Sequence, residues 1–472
     1  MKGPVVVVGA GIGGLAAALR LARRGVDVRV LEARDGAGGL AAGFELEGLR
    51  FDAGPYVLLD RPGLEWALAE LGLALEEELA LRRVERVYSV AAGAGPPVEF
   101  HADAGRTAAG IEARWPGAGA RYRAFVERAE RTYARIAVLQ REPRPGPAAV
   151  LRTGAWRALP FLLSSLRGVL ARSGLPRPVC DALAIWTHVA GQRPEEAPSP
   201  MALIPALIHT AGAYHPAGGI GAIAERLAAA LGRAGVAVEY GRPVVRLARH
   251  GDRVLVAETA DGELVTAAAV VSNASGVGTY LELLDGLQAR AAERLRRLPL
   301  QSPGVCAYLR VRGGDEPPYL RFQVPGPGER CRLLVQPAVV DPDAARDGWR
   351  PARLIAPMDH GQAQAMGLEE QRAHLEQLIA EPWWHAAAGE HEVLATRVPV
   401  EWGAQFRLHR DAMNPVMTAR FMRAGRLAHA SPHARGLFLC GSATHPGQWV
   451  SFCAVSGVLA ADAACRFLGA AP

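Results

Sequence analysis

The chain has 472 residues, of which 50% are apolar and 21% are charged, a composition that supplies enough apolar surface for a folded core and excludes a disordered protein. Its formal net charge is +6, but the basic residues are scattered without a Lys/Arg run, so we expect no nucleic-acid partner. No stretch reaches about 18 uninterrupted apolar residues, the length of a membrane-spanning helix, and we find no signal-peptide pattern.

The first predicted element is a buried strand over Val5–Val8, which runs into a G-x-G-x-x-G sequence at residues 9–14 and then into a predicted helix. In this motif Gly9 permits a tight turn, Gly11 lets the backbone approach a pyrophosphate, and Gly14 lets the helix pack closely on its strand. The helix N-terminus offers unpaired N–H groups to phosphates. The predicted dinucleotide contacts here are Gly9, Gly11, Ile12, Gly13 and Gly14.

A second strand is predicted over residues 27–31, and it ends in Glu32. A carboxylate at this distance from the glycines can accept hydrogen bonds from both hydroxyls of an adenosine ribose, and it would repel a 2′-phosphate. NADP is therefore disfavoured. The alternative interpretation is an ordinary turn rich in glycine, followed by a surface glutamate.

Two strings after Glu32 distinguish between dinucleotides. A second glycine pair occurs in Arg-Asp-Gly-Ala-Gly-Gly-Leu at residues 34–40, and Phe-Asp-Ala-Gly-Pro follows at residues 51–55. NAD sites do not need this extension. Here the chain resembles the FAD-dependent family of phytoene desaturases, carotenoid isomerases and flavin amine oxidases, and the second string looks most like its carotenoid desaturase branch, which often has arginine in place of Leu40. The FAD contacts implied by the resemblance are Glu32, Ala33, Arg34, Gly38, Gly39, Leu40, Gly54 and Pro55.

Residues 151–174 are predicted to form one amphipathic helix. Its apolar side chains include Trp156 and Leu159, its opposite face carries arginines such as Arg157 and Arg167, and Pro160 kinks the helix or marks its start. Such a helix can lie in a bilayer interface, or it can pack on its own domain. The apolar run at residues 201–208 is predicted to line a hydrocarbon tunnel or to belong to the core.

The string Tyr-His-Pro-Ala-Gly-Gly-Ile-Gly at residues 214–221 opens a predicted helix over residues 222–234, followed by strands at residues 236–240, 243–247 and 267–271. It is similar to the family's Tyr-Pro-x-Gly-Gly segment, where the chain returns to the cofactor domain. The resemblance implies that the backbone of Val244 contacts the adenine and that Asn273 lies at the cofactor. The alternative is an ordinary αββ unit.

The last predicted strand, residues 437–440, leads into Gly-Ser-Ala-Thr-His-Pro-Gly at residues 441–447 and a helix over residues 451–467. Thr-His-Pro-Gly closely matches the carotenoid desaturase signature. The helix N-terminus would face the O2/N1 edge of a flavin, where negative charge develops on reduction. The implied contacts are Gly441, Ser442, His445, Val450 and Ser451. His445 is either an acid–base group or a structural loop histidine, and Gln448–Phe452 replaces the family's Gly and Pro beside the ring.

These elements predict an α/β fold: a Rossmann-like FAD-binding domain of the glutathione-reductase type with an interleaved α+β substrate domain. The cofactor domain comprises residues 1–75, 213–276 and 425–472. The substrate domain comprises residues 76–212 and 277–424. The resemblance covers the cofactor segments, and it makes Tyr56, Trp402, Phe406 and Arg420 the candidates for the substrate pocket.

Two residue counts exclude classes of chemistry. Lys2 is the only lysine in the chain, which excludes a Schiff base or a lysine general base in the interior. The six cysteines include no C-x-x-C motif and no His/Cys pair at zinc spacing, so no metal is expected. A separate NAD(P)H-binding domain is also not expected, because no second G-x-G-x-x-G follows a strand. Dioxygen or a quinone is therefore expected as the electron acceptor.

We therefore predict an FAD-dependent desaturase of a carotenoid or similar lipophilic isoprenoid, working by hydride transfer to flavin N5 with proton loss from the neighbouring carbon. A polyene delocalises the developing positive charge, so no catalytic acid or base is predicted. The alternatives are a carotenoid isomerase, an amine oxidase that works without lysine, or, more remotely, a non-catalytic prenyl-lipid carrier related to the Rab GDP-dissociation inhibitors. We expect a cytoplasmic protein that can associate with the inner face of the membrane; its oligomeric state stays open.

Overall fold

The computed structural model describes residues 3–92, 95–314, 317–326, 328–424 and 426–470. Five parallel strands form one sheet, with the valine-rich strand Val5–Val8 at its centre. From one edge to the other the strands are Leu437–Leu439, Ala269–Ser272, Val5–Val8, Val28–Leu31 and Val238–Glu239. Three stretches of chain that are far apart in sequence therefore build this sheet, which we call the parallel sheet.

Different elements cover the two faces of the parallel sheet. Successive side chains of a strand point to opposite faces, so the central strand contributes to two cores. Val5 and Val7 pack in a core with helices, whereas Val6 and Val8 pack in a core with an antiparallel meander. The helices on the first face are Ile12–Arg23, Arg61–Glu70, Gly221–Arg233 and Val450–Leu468, and the meander consists of Val244–His250, Arg253–Thr259 and Leu264–Thr266. The central strand is thus buried on both sides.

The first and last helices of this layer, Ile12–Arg23 and Val450–Leu468, contact each other closely. A Cβ at Gly457 would collide with the carbonyl oxygen of Gly13, and Arg20 Nε donates to Asp462 Oδ1 at 2.9 Å. By length and a mean hydropathy of 1.4, Val450–Leu468 could cross a membrane, but 67% of that window is buried inside the protein. It is a core helix of the fold.

A second, seven-stranded sheet is built from residues on both sides of the 214–276 stretch. In spatial order its strands are Glu390–Arg397, Val305–Arg312, Arg350–Ala356, Arg332–Val335, Leu320–Val324, Arg86–Ala92 and Val98–His101. One pair, Leu320–Val324 with Arg86–Ala92, is parallel and the others are antiparallel. The longer helices beside this sheet are Ala104–Arg114, Ala118–Ile136, Arg177–Ala184, Ile204–Thr210, Leu368–Ala380 and Pro399–Phe406, whereas Ala289–Arg296 packs through Leu295 in the core with the meander.

The prediction of one continuous helix over residues 151–174 was wrong. The segment forms short helices, Pro147–Arg152, Ala155–Ala158 (3-10), Leu159–Leu162 and Leu166–Ala171. Gly154 breaks the first with a φ of 74°, and Ser165 is extended and caps the last by accepting a hydrogen bond from Gly168 N at 3.2 Å. The expected apolar stripe divides accordingly: Leu166 and Leu170 are buried, whereas Trp156, Leu159 and Leu163 are exposed.

Gly232 offers a test of the helix assignment. It lies inside helix Gly221–Arg233, and a Cβ there would meet no atom within 4 Å. Because alanine restricts the unfolded chain and favours helix, Gly232→Ala is expected to raise stability by about 0.5–1 kcal/mol, roughly 1–2 °C in melting temperature. Gly235 is the control, since it is equally open but has a φ of 81°, so Gly235→Ala should lower the melting temperature. Shifts of the same sign in both variants would contradict the assignment.

Candidate functional site

A cavity of about 840 Å³ begins at the carboxyl ends of the parallel strands and extends towards the seven-stranded sheet. The pairing of Val8 with Leu31 and Ser272, and of Ser272 with Leu439, ends these strands at one edge. The residues that follow them therefore come together there. Ligands bind at this edge in open α/β sheets, and the volume suits a large organic ligand.

Most predicted cofactor residues line this cavity. They are Gly9, Gly11, Ile12, Gly13, Glu32, Ala33, Arg34, Gly38, Gly39, Leu40, Gly54, Pro55, Val244, Asn273, Gly441, Ser442, Val450 and Ser451. Of the pocket candidates, Tyr56, Trp402 and Phe406 also line it. Arg420 does not: it lies exposed on helix Ala419–Ala424, so that prediction was wrong.

Two predicted cofactor residues lie outside the lining. A Cβ at Gly14 would collide with the Gly9 carbonyl oxygen, so Gly14 serves the close packing of helix on strand. His445 donates through Nε2 to the Leu139 carbonyl at 2.8 Å, and its Nδ1 lies 3.4 Å from an Arg426 nitrogen. Burial, helped by Arg426, lowers the pKa of His445 to about 3, so the ring is neutral. It is a structural loop histidine, and the prediction of a cofactor contact was wrong.

The glycine turns form a wall of bare backbone. Gly11 bridges to Gly38, and Gly38 N donates to the Ala10 carbonyl at 2.8 Å, so the second glycine turn lies against the first. A Cβ at Gly39 would lie 3.5 Å from Gly11 Cα, and one at Gly11 would lie 2.5 Å from Asn273 Nδ2. Side chains at these positions would fill the space that a pyrophosphate needs. The turns therefore fit a dinucleotide.

Glu32 closes one end of this wall. It is buried, its Oε2 accepts a hydrogen bond from Ala10 N at 2.6 Å, and its Oε1 accepts one from Arg34 N at 2.9 Å. Each carboxylate oxygen can accept a second hydrogen bond, and the side chain faces the cavity. This arrangement fits the two hydroxyls of a ribose, as predicted from the spacing.

At the other end, helix Val450–Leu468 begins at the cavity without a side-chain cap. Ser451 Oγ donates to Asp60 Oδ2 at 2.9 Å, and Tyr133 Oη donates to Asp60 Oδ1 at 3.1 Å. Burial raises the pKa of Asp60, although these hydrogen bonds oppose the shift. Sequence reasoning missed Asp60; the available signal was its place before Arg-Pro at the start of helix Arg61–Glu70, which is typical of an N-cap.

Arg353 was missed as well. It lies in strand Arg350–Ala356 and faces the cavity, where its guanidinium donates to the Ala53 and Gly54 carbonyls, each at 2.9 Å. It thereby holds the Phe-Asp-Ala-Gly-Pro segment in place. An arginine between Ala352 and Leu354, in the apolar middle of the strand, was the signal that could have found it.

The remaining wall is largely apolar. Its side chains include Trp186, Met201, Ile204, Leu333, Ile355 and Met358. The apolar run at residues 201–208 is divided, since Met201 and Ile204 line the cavity while Ala206 and Ile208 belong to the core. His188 faces the cavity and accepts a hydrogen bond from Cys331 N through Nδ1 at 2.9 Å, and burial with Arg330 nearby lowers its pKa to about 4. It is therefore a neutral group.

Residues 12–310 match the family model for flavin-containing amine oxidoreductases. The chain belongs to this family. It is similar to a zeta-carotene-forming phytoene desaturase of Myxococcus xanthus, with 27% identity over 97% of this chain and 93% of the relative. It is also similar to a phytoene dehydrogenase of Streptomyces griseus, with 30% identity over 98% and 96%. A putrescine oxidase structure, 18% identical over 99% of both chains with a TM-score of 0.64, shares the fold.

This flavin-containing amine oxidoreductase is an FAD-dependent enzyme, and the cavity has a place for each part of the cofactor. Glu32 would hold the adenosine ribose, and the turn at residues 9–14 would hold the pyrophosphate. The uncapped amides at Val450 and Ser451 would face the edge of the flavin ring that becomes negative on reduction. The chain has no lysine beyond Lys2, so a lysine-held water at the ring is excluded.

Proposed function

We propose that this oxidoreductase desaturates a carotenoid or a similar lipophilic isoprenoid. The observation that carries the proposal is the continuity of the cofactor groove with an apolar chamber in one cavity, whose wall includes Trp186, Ile204 and Met358. A hydrocarbon chain buried there would be desolvated next to the flavin position. The two relatives named as phytoene-oxidising enzymes support the same substrate class.

The chain's own contribution is to bind, orient and exclude water. When bound, FAD would supply a two-electron acceptor for the hydride lost from one carbon, and the proton lost from the neighbouring carbon would pass to solvent water as the C=C bond forms. The uncapped helix N-terminus at Val450 would stabilise the negative charge that develops on the bound cofactor. The lowered pKa of His188 makes it a weak base, and both oxygens of Asp60 already accept hydrogen bonds, from Ser451 and Tyr133, so we assign the role of base to neither. Dioxygen or a quinone would serve as the final acceptor of the two electrons.

Product analysis tests this proposal. Protein purified gently should be yellow with bound FAD, and anaerobic incubation with phytoene in lipid vesicles should bleach the flavin and give a carotene with more double bonds. Adding dioxygen or a quinone should restore the colour. Protein without flavin, or flavin that is reduced by amines and by no isoprenoid lipid, would overturn the proposal. Products that differ from the substrate in geometry alone would identify an isomerase.

We propose further that the enzyme lies in the cytoplasm and associates with the inner face of a membrane to collect this substrate. Five of its exposed large apolar side chains fall within residues 138–163: Val138, Leu151, Trp156, Leu159 and Leu163. Exposed arginines, including Arg144, Arg152 and Arg157, lie among them in sequence. An apolar surface with basic residues suits anionic headgroups.

The two most exposed leucines of this group provide the test. Leu151 is 67% exposed and Leu163 is 62% exposed. Burying each leucine side chain in a bilayer would contribute about 1–1.5 kcal/mol to the free energy of membrane binding. The Leu151→Ser/Leu163→Ser variant is therefore expected to bind vesicles at least ~10-fold more weakly in flotation assays. The vesicles are phosphatidylcholine with and without phosphatidylglycerol, and the anionic lipid should strengthen binding of both proteins at low salt.

The control is Leu264→Ser, because Leu264 is 61% exposed in the meander beside the parallel sheet, outside this group. It should bind vesicles as the wild type does. Equal binding by all three proteins would remove the proposed membrane surface while leaving the desaturase proposal intact.

A further inference from the structure

A buried carboxyl group lies at the N-terminus of the helix that faces the flavin position. Asp60 lines the cavity and is 1% exposed. It binds the second residue of helix Val450–Leu468, since Ser451 Oγ donates to Asp60 Oδ2 at 2.9 Å. Asp60 also caps its own helix, with Gly63 N donating to Oδ1 at 3.3 Å. The carboxyl group therefore shares the N-terminus of one helix with the bound cofactor.

The partners of Asp60 suit both of its protonation states. Ser451 and Tyr133 contribute hydroxyls, and a hydroxyl can accept a hydrogen bond from a protonated carboxyl as well as donate one to a carboxylate. Arg141 favours the carboxylate, but within the described part of the chain it forms no ion pair with Asp60. Burial raises the pKa of Asp60 and that of Tyr133, so the carboxyl group is easily protonated while the phenol keeps its proton.

Two negative charges would compete for this helix N-terminus. When two electrons and one proton enter bound FAD, a net negative charge remains at the ring edge that the amides of Val450 and Ser451 would face. A carboxylate at Asp60 would repel that charge. Because a like charge in the same site raises the pKa of a carboxyl group, reduction is expected to draw a proton onto Asp60.

We propose that Asp60 takes up a proton when the bound FAD is reduced. Two electrons enter with one proton on the cofactor, and a second proton passes from solvent water to an Asp60 oxygen, so the site gains no net charge. Tyr133 is half-buried, and its hydroxyl can pass this proton inward. Asp60 acts through Ser451 and the helix N-terminus, so it is a positioning residue. The inference rests on FAD binding and not on which substrate is oxidised.

The test is a redox titration of the holoenzyme against reference dyes, without substrate, from about pH 6 to about pH 9. Asp60→Asn keeps the helix cap, because asparagine caps as well as aspartate does, but it cannot take up the proton. Per two electrons, wild-type protein should take up about one proton more than the variant. With rising pH the variant should become easier to reduce than the wild type, and at a given potential its ratio of reduced to oxidised flavin should be at least ~10-fold higher at the alkaline end. At acid pH the two proteins should converge, because Asp60 is then protonated.

Asp103→Asn is the matched control, because Asp103 also caps a helix, Ala104–Arg114, but is exposed and does not line the cavity. It should keep the wild-type potential and its dependence on pH. Equal proton uptake by wild type and Asp60→Asn would overturn the proposal. Wild-type protein that takes up one proton per two electrons at every pH would overturn it as well, and that measurement needs no variant to fold. Because no isoprenoid is added, failure here leaves the desaturase proposal standing.

Discussion

Purified Gly14→Ala protein is expected to be colourless. The added Cβ would collide with the Gly9 carbonyl oxygen and lie 3.1 Å from Asn273 Cβ. Neither the turn nor the central strand can move aside without separating helix Ile12–Arg23 from the sheet. Overpacking of this kind costs about 1–3 kcal/mol or more, and here it also displaces the helix N-terminus that faces the pyrophosphate. Flavin absorbance per protein and the melting temperature should both fall.

The matched control is Gly36→Ala. Gly36 lies between the two glycine turns, a Cβ there meets no atom within 4 Å, and its φ is not in the left-handed region. This variant should keep its flavin and its melting temperature within about 1 °C. Retention of one FAD per chain by Gly14→Ala would mean that the strand–turn–helix packing described above is incorrect.

The second large effect is expected from Arg353→Leu. Removing the guanidinium leaves the Gly54 carbonyl without its donor and the Ala53 carbonyl with Tyr308 Oη alone, and it takes a cation from the neighbourhood of the buried Asp52 carboxyl, whose pKa burial already raises. An unsatisfied buried carbonyl costs about 1–3 kcal/mol, so a total loss of roughly 2–5 kcal/mol is expected. Because Gly54 and Pro55 line the cavity, the affinity for FAD should fall as well.

Arg350→Leu is the control on the same strand. Arg350 is half-buried at the start of the strand, donates to the Gly313 carbonyl at the surface, and does not line the cavity. Its replacement should change stability by no more than about 0.5 kcal/mol. Arg353→Lys should recover part of the loss at most, since an ammonium keeps the charge without the planar fork that reaches two carbonyls. Equal denaturation curves for Arg353→Leu and Arg350→Leu would show that Arg353 does not hold the segment.

The cofactor-binding residues were predictable because each of them belongs to a short sequence pattern. The turn at residues 9–14, Glu32 and the residues around Val450 are recognised by their place at the ends of strands and helices, and the structure brings them to one edge. The role of Arg353 could not be found in this way. Arg353 contacts Gly54 across 299 residues of sequence, so no local pattern connects the two.

The error at residues 151–174 has a different cause. Apolar spacing alone favoured a continuous helix, but a left-handed glycine and a serine cap divide the segment, and such local signals outweigh periodicity. Arg420 and His445 were assigned by resemblance to the family. For His445 the resemblance identified the correct loop, but the direction of its side chain depends on Leu139, which the motif does not contain. For Arg420 the segment itself lies on an exposed helix away from the cavity.

The order of strands in the parallel sheet has a consequence for biosynthesis. The central strand leaves the ribosome before the other strands of its sheet, yet the sheet is completed by Leu437–Leu439 and its helical layer by Val450–Leu468, more than 400 residues later. The nascent chain must therefore hold an uncovered apolar surface until these late elements have been made. The nucleotide can be loaded only after that point, and a message truncated before these codons yields a protein that chaperones and proteases must handle.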